Sequence, residues 1–202
     1  MPLFERKKGK VDATRHWVGD TRFPLELDLT RQSLSGVRIG GTIDGLMRLG
    51  PAEDREAAED EIYRYYSRGL EVTADEGFVT RFRLLWHPSE GFRPYSGTTN
   101  LRGEPITLGS ATPESELKTL LGEPYWRDED EDEILLFYEM GDVEWQIELN
   151  KEGRLGQWSI VSPPLMADDE QRQAYGVTRP WPPASPDRIR PRTAGRVLGP
   201  QK

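Results

Sequence analysis

Carboxylates are the groups in this chain best placed to do chemistry. Glu144, Gln146 and Glu148 alternate with Val143, Trp145, Ile147 and Leu149. In an extended strand successive side chains point to opposite faces, so the two carboxyl groups share a polar face while the apolar residues line a buried one. A carboxylate-dependent hydrolase could be built on such a pair. It would need a concave pocket and at least one strongly perturbed acid.

Other carriers of chemistry are scarce. The two histidines are His16, in a basic N-terminal region, and His87, just before Pro88. A metal site or a Ser-His-Asp triad needs histidine held by a rigid frame with partners in reach, and neither position offers one. The chain has no cysteine, which removes disulfides, thiolate chemistry and Cys-rich zinc sites. No Walker or dinucleotide glycine loop is present. Residues 53–61 and 127–133 each hold six acids and one arginine. A calcium loop needs oxygen ligands around a glycine turn, and residues 128–133 contain no glycine. These runs read as solvated acidic rims, with electrostatic docking of a basic partner as the alternative. No metal or other cofactor is expected, and the chain reads as a non-enzyme.

The elements that position these residues come in two sets. Glu59-Asp60-Glu61-Ile62 recurs as Glu131-Asp132-Glu133-Ile134, and at the same offset Leu49-Gly50 matches Leu121-Gly122, Tyr66 matches Tyr138 and Gly69 matches Gly141. A fixed internal period points to duplication. Each copy starts with a short strand, Val37 to Gly40 or Ile106 to Gly109. Thr42 or Thr112 then stands where a helix needs a cap, with Pro113 at the first helical position of the second copy. Ile43, Leu46 and Met47 form one apolar stripe, Leu117, Leu120 and Leu121 the other, and Gly50 and Gly122 terminate the two helices. A three-stranded meander follows in each copy. The predicted class is α+β: two tandem repeats, each a short helix packed on an antiparallel meander, sharing one curved sheet or a common interface. Residues 23–29 add a strand ahead of copy one, and residues 167–174 form a short polar helix ended by Gly176.

The 202 residues divide accordingly into a basic N-terminal segment (1–19), repeat 1 (20–90), repeat 2 (91–165), and a short helix with a Pro/Arg-rich disordered tail (166–202). Mean hydropathy is −0.71, yet six Trp, seven Tyr and six Phe can fill a modest core. Net charge is −8, unevenly spread: residues 179–202 carry six basic residues against Asp187, so an acidic body has basic ends. With neither a signal-type apolar stretch nor a membrane-spanning one, the expected location is the cytoplasm.

The run from a threonine through a short apolar helix to Leu-Gly-Pro (42–51) or Leu-Gly-Glu-Pro (112–124), followed by a meander, resembles a known repeat. It is similar to that of the β-lactamase-inhibitor proteins and the small outer-membrane-assembly lipoproteins of the SmpA/OmlA type. The resemblance covers residues 34–161. It implies a tandem pair forming one curved sheet backed by helices, and action by binding other proteins without catalysis. The chain lacks the lipid-accepting cysteine and the cysteine pairs of those families, so neither an outer-membrane role nor an exported inhibitor is implied.

The expected function is a non-catalytic protein-binding module, of inhibitor or toxin-neutralising (immunity) type. Hydrolysis by paired carboxylates and self-association as a scaffold are the alternatives. The gripping residues are expected on the outer sheet face: Glu144, Gln146 and Glu148, then Glu71, Arg81 and Arg83, with Tyr63, Tyr65 and Phe137 on the first strands. Tyrosine and arginine among carboxylates suit an interface centre. That face is either open or partly covered by the other copy or by residues 23–29. The expected partner is a protein, and a basic one would suit the acidic rims. The arginines at 188, 190, 192 and 196 lack interleaved aromatics, which argues against nucleic acid.

Overall fold

The computed structural model describes residues 11–182, so the basic cluster at Arg6, Lys7, Lys8 and Lys10 and the tail arginines lie outside the described residues. Twelve strands and three α-helices are present among them. The first half contains β1 (Glu26–Asp28), β2 (Ser33–Leu34), β3 (Val37–Arg38), a 3-10 helix (Ile43–Leu49), α1 (Arg55–Glu59), β4 (Ile62–Tyr65), β5 (Leu70–Asp75) and β6 (Phe78–Leu85). The second contains β7 (Thr98–Leu101), β8 (Glu104–Ile106), α2 (Glu114–Leu121), β9 (Trp126–Glu129), β10 (Glu133–Glu139), β11 (Glu144–Asn150) and β12 (Leu155–Val161). A C-terminal segment follows with a 3-10 turn (Leu165–Ala167) and α3 (Asp169–Ala174).

The class is α+β, and in place of one sheet the strands form two. The smaller has the order β3-β2-β1-β7-β8, the larger β4-β5-β6-β12-β11-β10-β9. Every pairing is antiparallel except β1 with β7. In the smaller sheet the β2–β3 and β7–β8 hairpins each turn through a left-handed pair, Ser35-Gly36 and Arg102-Gly103. Two consecutive positive φ angles match the right-handed twist of the flanking strands.

In the larger sheet the register is unchanged when the halves are exchanged. Tyr65 pairs with Leu70 and Leu70 with Leu84; Tyr138 pairs with Trp145 and Trp145 with Ile160. Between the meanders, Leu84 faces Trp158 and Phe82 faces Ile160, with Arg83 opposite Ser159 at the centre. Tyr65, not Tyr66, therefore occupies the place of Tyr138.

The core lies on one face of this sheet. Tyr63, Val72, Phe82, Leu84, Trp145, Ile147, Trp158 and Ile160 are buried there together with Leu27, Leu34, Leu46 and Leu117. Trp158 stacks between Trp145 and Trp86, with ring centroids 5.3 and 6.3 Å away. Such tilted aromatic contacts contribute roughly 0.5–1.5 kcal/mol beyond their area.

The helices differ from expectation in ways their geometry explains. Ile43, Leu46 and Leu49 are buried while Met47 is exposed, because a 3-10 helix repeats every three residues and carries Met47 off the stripe. Thr42 stands at the N-cap of the 3-10 helix but its side chain makes no capping bond; in the second half Pro113 is itself the N-cap, and Thr112 Oγ1 accepts from the Gly109 amide. The acidic runs are not equivalent rims. Asp54 caps α1 by accepting from the Ala57 amide, whereas residues 126–139 form the β9–β10 hairpin, with Asp130 Oδ1 accepting from the Asp132 and Glu133 amides. Helix-forming Arg55 to Ala58 precede one tetrapeptide and the β-favouring pair Tyr125-Trp126 precedes the other, so identical residues close different structures. No helix among the described residues is long and apolar enough to cross a membrane.

Candidate functional site

The face of the large sheet opposite the core is polar, as the alternation of β11 requires. Cross-strand pairing fixes its membership: Arg64 with Glu71, Glu71 with Arg83, Arg83 with Ser159, Ser159 with Gln146, and Gln146 with Phe137. Tyr63 and Tyr65 pair with Val72 and Leu70 and belong to the core face, which corrects their expected exposure. The fixed 72-residue offset slips by one between Gly50 and Tyr65, and a slip of one residue moves every side chain of a strand to the opposite face.

Two structures occupy this outer face. Over β10 and β11 lies the C-terminal segment, with Met166 and Val177 packed against Tyr125 and Phe137 in a second small core. Phe137 and Glu144 are therefore buried, not open to a partner. Glu144 Oε2 accepts from the Met166 amide at 2.9 Å, and its other oxygen accepts from Gln146 at 2.7 Å. Burial pushes the Glu144 carboxyl above its ordinary value, against the pull of these bonds.

Over β4, β5 and β6 the same face carries a ladder of charge. Glu71, buried, accepts from Arg64 Nε at 3.0 Å and Arg81 Nη2 at 2.5 Å, with Arg83 Nη1 at 3.9 Å. Arg64 reaches Asp54 at 3.0 Å, and Arg83 meets Glu90 at 3.2 Å. The Ala57 amide, Tyr66 and Arg64 hold the Asp54 carboxyl below its ordinary value, and Arg83 does the same for Glu90. Arg83 Nε donates to Gln157 at 2.6 Å, and Gln157 donates to Glu148 at 2.5 Å. Charge-assisted bonds of this kind fix side-chain geometry.

Where the ladder reaches β12 and β11 a cleft of about 300 Å³ opens. Arg83, His87, Glu90, Glu133, Glu148 and Arg154 line it. Burial pushes the Glu148 carboxyl up, the charge of Glu133 pushes the same way, and Arg83 and Gln157 oppose them. The carboxyl groups that meet are thus Glu133 and Glu148, whereas Glu144 lies under the C-terminal segment and outside the cleft.

Arg81, Arg83, Gln146 and Glu148 of the expected set remain partly accessible on this face. Sequence reasoning missed Arg64 and Glu90. Pairing Arg64 with Glu71 required the true register. Among the described residues no group of three or more His, Asp and Glu is arranged to hold a metal ion.

No protein-family model matches the chain, and no curated protein sequence matches it. Among solved structures, the chain is similar to a DUF4309 family protein (YjgB) from Bacillus subtilis. The match has 15% sequence identity and a TM-score of 0.45, and covers 64% of this chain and 84% of that one.

Proposed function

We propose that this is a non-catalytic protein-binding module of duplicated architecture that grips a protein partner with the open half of its outer sheet face. The observation that carries the reading is the ladder from Arg64 through Glu71, Arg81 and Arg83 to Gln157 and Glu148. It is partly exposed, pre-ordered by its own hydrogen bonds and mounted on a rigid sheet. Arginine and carboxylates held this way suit the centre of an interface, because little side-chain entropy is lost on binding. The duplication is supported by the exchange-invariant register about Arg83 and Ser159 and by the paired Ser35-Gly36 and Arg102-Gly103 turns. An inhibitor or toxin-neutralising role in the cytoplasm follows by analogy with the inhibitor-like repeat proteins.

Affinity capture from native lysate tests this reading. Intact protein is compared with a His87→Glu, Glu148→Lys variant, each checked by thermal melting. A partner held by the intact protein and released by the folded variant is the expected result. Equal capture by both would place the grip elsewhere.

One observation favours a second reading. Glu148 lines the cleft beside Glu133 with its carboxyl held up, as a general acid requires. Hydrolysis of chromogenic ester or glycoside substrates by intact protein, abolished in Glu148→Gln, would support it. Absence of turnover at any pH would remove it.

A further inference from the structure

The two edges of the large sheet are treated differently by the chain. At the β4 edge the Glu53 amide donates to the Arg64 carbonyl at 2.8 Å, and α1 packs alongside. At the other end the Tyr125 amide donates to the Phe137 carbonyl at 2.7 Å, the counterpart of that bond. From there the paths diverge. The first half winds into α1 and closes its edge, while the second continues extended as β9. Among the described residues β10 is the sole sheet neighbour of β9, and no other segment hydrogen-bonds to its backbone.

A bare edge strand offers unpaired N–H and C=O groups to any extended chain that fits. The smaller sheet offers less at its edges, since β3 has two residues and β8 contains Pro105, which has no N–H to give. The side chains around β9 decide what fits. Asp128, Glu129, Asp130, Glu131, Asp132 and Glu133 surround the edge with negative charge. Arg127 is already committed to Glu114 at 2.9 Å and Glu129 at 2.5 Å. A second copy of this edge is repelled by it, and so is a nucleic acid. An extended segment bearing lysine or arginine is attracted and can pair.

We infer that β9 takes an extended, basic protein segment as an eighth strand, by a contact separate from the outer-face ladder. Main-chain bonds would supply affinity and the acidic hairpin would select for charge. The probe is a fluorescent peptide of alternating lysine and valine, titrated into the full chain and followed by anisotropy and amide hydrogen exchange. Its control is the diastereomer of alternating L- and D-residues, which keeps the charge but cannot hold an L-strand. The expected result is binding of the all-L peptide, slowed exchange in residues 126–129, and affinity weaker by about tenfold or more for the diastereomer and for a Glu129→Lys, Glu131→Lys variant. Equal binding of both peptides, protection confined to other strands, or no binding at low salt would each overturn the inference.

Discussion

Tyr65 donates its phenol to the carbonyl of Gly50, 3.3 Å away, the residue that stops the first helical turn of the chain. Tyr138 does the same to Gly122 at 3.0 Å, at the end of α2. In each half the first strand of the meander is thus fastened to the helix terminus by one hydroxyl. Burial pushes both phenols up, to about 12 for Tyr138 and further for Tyr65, so they remain protonated donors at neutral pH.

The paired bonds predict paired losses. Tyr65→Phe and Tyr138→Phe keep the ring and remove one hydrogen bond each, so each should cost about 1 kcal/mol in urea unfolding. The sites share no partner, and the double variant should show the sum. A cost confined to one of the two would break the equivalence.

Glu71 sits among Arg64, Arg81 and Arg83, and removing its charge leaves three guanidinium groups facing one another. Deleting one partner of a buried pair usually costs 3–5 kcal/mol, roughly, but Arg81 is 37% and Arg64 34% exposed. Water will take up part of that penalty. Glu71→Gln should therefore destabilise by about 2–3 kcal/mol, and high salt should narrow the gap by screening the arginines. Unfolding midpoints with and without salt check both statements.

Glu144 gives a pH signature. Its folded carboxyl is held above the ordinary value of 4.5 by burial, so the folded state binds its proton more tightly than the unfolded state does. The resulting stability is complete below the unfolded value and is lost as pH rises through the folded value. Glu144→Gln removes this term while keeping an oxygen for the Met166 amide. Relative to the parent, the variant should gain stability as pH rises from below 4.5 toward neutrality. Asp54, Glu90 and Glu114, whose carboxyls are held low, act in the opposite sense in both proteins and cancel from the difference. A difference that does not vary with pH would contradict the assignment.

Gly69 turns the chain between β4 and β5 at a φ of 65°, where a side chain is strained. A Cβ there would also overlap the Arg93 carbonyl and the Tyr95 amide, both backbone atoms that cannot swing aside. Gly69→Ala should cost about 2–4 kcal/mol, well above an ordinary surface substitution, in thermal or urea unfolding.

Much of this was legible from short-range pattern. The alternation of residues 143–149 identified the core and polar faces of β11, and glycine placement marked the helix stops. What failed was long-range or irregular. A constant offset puts the tyrosines on the wrong face because it ignores the extra residue that the second half carries between Gly122 and Tyr138. An α-helical period puts Met47 in the core, but the segment is a 3-10 helix. The cover over Phe137 and Glu144 rests on a few separated apolar residues such as Met166 and Val177, which carry no periodic signal. The β9 strand hid in an acidic run of low strand propensity.

The most direct test of the proposed gripping surface is amide hydrogen exchange on a complex with the captured partner. New protection should fall on β5, β6 and β12 and on the loop holding His87 and Glu90, with residues 165–177 unchanged. Protection confined to the smaller sheet or to the C-terminal segment would contradict the account.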